Sequence, residues 1–145
     1  MYFVDREKIE KTLQFIEGQV EVFQTLNEIN DDVKKRALER VAHTLIDSVL
    51  TVGNAMIDGF IMRDPGSYED IIDILLDEKV ITEDMAEQFK TFLPYQKQLV
   101  HDYIQIEHQQ LFNALKNCLE AFIHFPKKVR QYLEQELTGV TAFKK

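Results

Sequence analysis

Residues 31–60, DDVKKRALERVAHTLIDSVLTVGNAMIDGF, decide the fold. Val33, Ala37, Val41, Leu45, Val49, Val52, Met56 and Phe60 recur at spacings of three and four, the period of one helix face. A second stripe, Leu38, Ala42, Ile46, Leu50 and Ile57, lies beside the first. Two adjoining stripes make an apolar arc wider than one partner helix can cover, so the segment reads as a helix contacted on more than one side. Asp31 or Asp32 is the N-cap. Gly53 costs a helix interior about 1 kcal/mol relative to alanine, which points to another helix packed closely against it.

The flanking segments supply the partners. A first helix starts after Asp5, carries Ile9, Leu13, Ile16, Val20 and Phe23 on one stripe, and ends before Asn27–Asn30. Downstream, RDPGS at 63–67 is the clearest turn. Ser67 caps a short helix with Ile71, Ile72, Leu75 and Leu76 inward, and Thr82 caps the next, with Met85, Phe89, Phe92 and Leu93 inward. That helix is expected to continue through a kink at Pro94 to about Tyr103. A last helix runs from about His108 with Leu111, Leu115, Cys118, Phe122, Phe125, Val129 and Tyr132 inward, kinked or split at Pro126. Only 5 Gly and 3 Pro occur, and nothing alternates long enough for a strand. The expected fold is all-α: one domain over 1–145, an antiparallel bundle of five to six helices.

Composition narrows the function classes. With 145 residues and 45% apolar content the chain can bury a real core without staples. Asp47, Asn54 and Asp58 interrupt the best candidate for a membrane span, and the start lacks the basic-then-apolar pattern of a secretory signal. The single cysteine, Cys118, sits among apolar neighbours as a buried thiol. A cytoplasmic address is therefore expected. The net charge of −8, 17 basic against 25 acidic side chains, argues against broad binding to a nucleic-acid backbone but leaves room for a local phosphate site. Lys127, Lys128, Arg130, Lys144 and Lys145 form a basic end, most of which reads as a solvated helix face.

The four histidines, His43, His101, His108 and His124, form no metal-ligand spacing, and no P-loop, nucleophile elbow or dinucleotide fingerprint occurs. Neither metal nor cofactor is expected. The one grouping with chemical content is YQKQLVHDY at 95–103. Lys97 and His101 share a helix face, whereas His101 and Tyr103 point about 200° apart in an ideal helix. They serve one site only if the helix ends or bends there, or if the site lies between subunits. On spacing alone the group reads as a polar helix end with a surface histidine.

GNAMID at 53–58, PGSYED at 65–70, ILLDEKVIT at 74–82 and LVHDY at 99–103, in that order, resemble the HepT-like family of the HEPN superfamily over about residues 38–130. MYFVDR at 1–6 and FIMRDPGSY at 60–68 are similar to its YutE-like branch. The resemblance implies a helical homodimer in which Arg-x4-His-x-Tyr motifs of two subunits meet in a cleft. It also implies metal-independent RNA cleavage as the toxin half of a toxin–antitoxin pair, with a nucleotidyltransferase as antitoxin partner. In this chemistry the ribose 2′-hydroxyl attacks the adjacent phosphate, with histidine as acid or base and arginine stabilising the phosphorane. His101 falls on the motif histidine. Tyr103 falls on its tyrosine, the acceptor of adenylylation. The motif arginine falls on Gln96, which carries no charge and lacks the bidentate fork, and Lys97 is the neighbouring cation. Two readings follow: an RNase toxin-type protein with weakened activity, or a non-catalytic dimeric module binding RNA, nucleotide or protein.

Overall fold

The computed structural model describes residues 4–143, and their side chains as far as Leu137; Met1–Phe3 of the opening motif and the basic Lys144 and Lys145 lie outside the described residues. Five helices follow in order: α1 (Arg6–Thr25), α2 (Asp32–Gly59), α3 (Tyr68–Asp77), α4 (Glu83–His101) and α5 (His108–Phe143). No strand occurs among the described residues. The starts are set by side-chain caps. Asp5 accepts from the Lys8 N–H at 3.0 Å, Asp31 from Lys34 at 2.7 Å, Ser67 from Asp70 at 3.0 Å and Thr82 from Met85 at 3.2 Å.

Helix α2 is the centre of the bundle and packs against all four others. Both of its stripes are buried from Leu38 to Phe60. The first turn departs from expectation: Val33 is 80% exposed, because α2 begins one turn before its neighbours cover it. Against α3 the approach is very close. A Cβ added at Gly53 would lie 2.6 Å from Ile71 Cγ2 and 3.3 Å from Leu75 Cδ1. Leaving α2, Ile61 takes a left-handed φ of 56°, and the Met62 N–H donates to the Ile57 carbonyl at 2.9 Å. Asp70 then fixes the 63–67 turn by accepting from the Gly66 N–H at 2.8 Å and from Arg63 at 2.9 Å.

The remaining layer is aromatic. Phe89 meets Phe122 and Phe125 edge-on at centroid distances of 5.2 and 5.6 Å, and Phe92 meets Phe122 at 5.8 Å, joining α4 to α5. Both helices run continuously through their prolines, Pro94 and Pro126, so α5 is not split. Burial pushes the Cys118 thiol up, away from the reactive thiolate.

Arg130, on the basic end of the chain, is no idle solvated charge. From α5 it reaches α1, where Nε and one Nη donate to Glu10 at 2.9 and 2.8 Å, and both Nη donate to Glu17 at 2.9 Å. Hydrogen bonds from this guanidinium hold both carboxyls below their ordinary 4.5. A depressed carboxyl stabilises the fold above its unfolded pKa, and that contribution is lost as pH falls through the folded value.

Two measurements test this packing. Gly53→Ala should lower the urea midpoint, corresponding to a loss of about 1–3 kcal/mol, although alanine is the better helix former, because the stiff Ile71 must move; an unchanged or raised midpoint contradicts the close approach. Arg130→Met keeps the apolar stem and should cost about 1 kcal/mol at pH 7, where partial exposure screens the pairs. Its deficit against native protein should shrink as pH is lowered from about 4.5; a pH-independent deficit assigns the loss to packing instead.

Candidate functional site at the end of helix α4

Helix α4 stops at His101 rather than at Tyr103. Asp102 takes the C-cap position with φ −118° and ψ 39°, and the Gln105 N–H closes a turn on the Asp102 carbonyl at 3.1 Å. His101 is therefore the last helical residue and is exposed. Tyr103, 58% exposed, stands in the following turn beside Ile104, which is 90% exposed. The helical angle that would set His101 and Tyr103 on opposite sides does not apply beyond the helix end. Lys97 is exposed one turn before His101.

Gln96 is placed differently. It is 8% exposed and faces α2, where its Nε2 donates to Asp47 Oδ1 at 3.2 Å. The other oxygen of Asp47 is 2.7 Å from His43 Nε2, one turn earlier on α2. Gln96, Asp47 and His43 thus form one polar chain between two helices. It lines a groove of about 370 Å³ with Asn54, Tyr68 and Val100. A second recess of about 220 Å³, bordered by Arg36, Arg40 and Leu99, opens on the other side of His43. The fold brings Gln96 to the α2–α4 groove and sets Lys97, His101 and Tyr103 on the exposed surface at the end of α4. Arg63 is committed elsewhere, to Asp70 at 2.9 Å and Asp77 at 3.5 Å.

Nothing in the local sequence singles out His43 and Asp47 as a pair. Their i, i+4 spacing was visible, but it is the common spacing of surface ion pairs, and Gln96 lies 49 residues away. Among the described residues no group of three or more His, Cys, Asp or Glu side chains is arranged to hold a metal ion. No helix there is long and apolar enough to cross a membrane.

The whole chain is similar to known proteins. YutE of Bacillus subtilis (strain 168), named as a candidate RNase, is 49% identical over 144 residues, which is 99% of this chain and 100% of that protein. The solved structure of YutE, described as a cytosolic protein of unknown function, superposes with a TM-score of 0.92 over 94% of this chain and 96% of its own. A chain from the crystal structure of a toxin–antitoxin complex with AMP-PNP shares the fold at 13% identity, with a TM-score of 0.72 over 86% of this chain and 96% of that one. The description "Ribonuclease HepT-like" matches residues 6–129, covering all of α1 to α4 and most of α5. The chain belongs to the ribonuclease HepT-like family.

Proposed function

We propose that this protein is a HepT-like, toxin-type RNA endonuclease whose metal-independent activity is weakened by Gln96. The observation that carries the reading is His101: it ends α4 in an exposed position, on the family's histidine, with Tyr103 exposed two residues later. The exposed imidazole serves as acid or base toward the 2′-hydroxyl or the leaving oxygen of RNA. Gln96 supplies at most a neutral donor, and it is already spent on Asp47, while Lys97 is the nearest cation in sequence. The site is completed by a second copy of the chain, which brings its own His101 to the same cleft and leaves Tyr103 at the lip. The protein works in the cytoplasm, in keeping with the cytosolic description of YutE. A second reading, a non-catalytic dimeric module that binds RNA, nucleotide or protein, is favoured by the burial of Gln96 and by the net charge of −8.

Losing one charged donor to a phosphoryl transition state costs about 3 kcal/mol, on the order of a hundredfold in rate. The native protein should therefore cleave single-stranded RNA slowly, under single-turnover conditions with chelator present, and His101→Ala should abolish the cleavage. Gln96→Arg should raise it, by putting a charged donor at the motif position. By sedimentation the same preparations should run as dimers. Absence of cleavage in both native and Gln96→Arg proteins moves the assignment to the second reading, and a monomer at micromolar concentration removes the dimer from both.

Tyr103 is the acceptor for an antitoxin nucleotidyltransferase: its phenolic oxygen attacks the α-phosphorus of ATP and pyrophosphate leaves. The added phosphate and nucleoside block the groove by charge and bulk. Co-expression with a nucleotidyltransferase encoded beside this chain should add AMP masses that vanish in Tyr103→Phe. An unmodified wild-type protein removes the antitoxin from the proposal.

A further inference from the structure

Arg36, Arg40 and His43 lie on one face of α2, spaced by a turn of helix each. With Glu39 and with Leu99 of α4 they line the recess of about 220 Å³. Its charge runs against that of the chain. Glu39, the carboxylate of the recess, accepts from Arg36 Nη1 at 3.1 Å and lies 2.7 Å from His108 Nε2. Arg40 is exposed, and its guanidinium has no hydrogen bond or ion pair among the described residues. Arg63 and Arg130, by contrast, are each tied to two carboxylates.

We infer that this recess is a phosphate-binding subsite, in which Arg40, assisted by Arg36, holds a backbone phosphate of single-stranded RNA. The inference rests on RNA being the ligand, as proposed above. A guanidinium fork matches two oxygens of a phosphodiester, and Arg40 has its whole fork to offer. Leu99, 8% exposed, gives the recess an apolar wall that keeps water from one side of these hydrogen bonds. Size selects between sources of phosphate. Pockets that enclose a whole small ligand measure roughly 300–1,000 Å³, so this smaller recess suits one group of a longer molecule rather than a free nucleotide.

The neighbouring groove gives the rest of that molecule a place. His43 borders both the recess and the groove of about 370 Å³ that holds Gln96. A strand running from one to the other along α2 sets a phosphate on Arg40 and an adjoining nucleotide beside Gln96, the family's arginine position. His101 lines neither recess, so Arg40 contributes to binding and not to the reacting phosphate. The other basic cleft, at the start of α4, fits less well: Lys127 and Lys128 share it with the carboxylates of Asp84 and Glu120, and it does not adjoin the Gln96 groove.

The test is fluorescence anisotropy of a labelled single-stranded RNA with the full chain carrying His101→Ala, which leaves the RNA intact, over a series of salt concentrations. Adding Arg40→Gln should weaken binding on the order of tenfold at low salt. It should also flatten the slope of log affinity against log salt by about 0.7, the loss of one phosphate contact on a single strand. Melting should stay native-like, since Arg40 gives up no partner in the fold. Arg40→Lys should keep the slope, because the charge remains, while still losing affinity with the fork. Lys127→Gln removes the same charge at the other end of α4 and should change neither quantity. If the parent binds RNA but Arg40→Gln leaves affinity and slope unaltered, or Lys127→Gln loses as much, this inference falls and RNA stands as ligand. Binding of AMP that depends on Arg40, with no binding of RNA, overturns the RNA source and the RNA reading while leaving a phosphate site. Absence of binding to both RNA and AMP removes the subsite and the reading together.

Discussion

Burial of the two apolar stripes of α2 is the constraint on which the rest of the molecule depends. A helix that is apolar over so wide an arc has no stable exposure, so other helices must surround it, and each neighbour touches a different sector. At α3 this requirement becomes steric: the helices meet where Gly53 offers no side chain, against a branched isoleucine. The short α3 is held there from its N-terminus, where Ser67 caps it and Asp70 grips the preceding turn. Asp73 on α3 pairs in turn with Lys90 on α4. The place of α4 against α2 thus follows from packing long before any chemistry is considered.

That placement gives α4 two different faces near its end. Gln96 and Leu99 look into the bundle, whereas Lys97 and His101 look out. Helix geometry enforces the division: positions 96 and 99 share a side, and 97 and 101 share another. His101 is open to solvent at the end of α4, whereas Gln96 is reached only through the groove that Asp47 and His43 border. In this seat Gln96 acts as a neutral donor to Asp47.

Charge is used in the same economical way elsewhere. The chain is acidic, yet many of its carboxylates are occupied: Glu10 and Glu17 by Arg130, Asp70 by Arg63 and Gly66, Glu39 by His108 and Arg36, and Asp47 by His43 and Gln96. Arg130 joins the first helix to the last by two forked contacts, whose stabilisation is present above the unfolded carboxyl pKa and lost at lower pH. The net negative field over the surface opposes long-range capture of RNA.

Periodicity was enough to read the helices, their caps and most of their buried faces, because a stripe at spacings of three and four is itself the physical cause of packing. The stripe of α1, from Ile9 to Phe23, is buried residue for residue. Order and spacing of short motifs were enough for the family, while the expected end of α4 fell near Tyr103, two residues beyond the observed one. The sequence could not say that α2 starts one uncovered turn early at Val33, that α4 stops at His101, or that Arg130 spans to α1. Nor could it join Gln96 to Asp47 and His43. Those outcomes depend on which helix passes alongside at a given height, and that is settled by contacts between residues far apart in the chain. Local spacing decides which way a side chain points along its own helix; only the assembled bundle decides what it meets there.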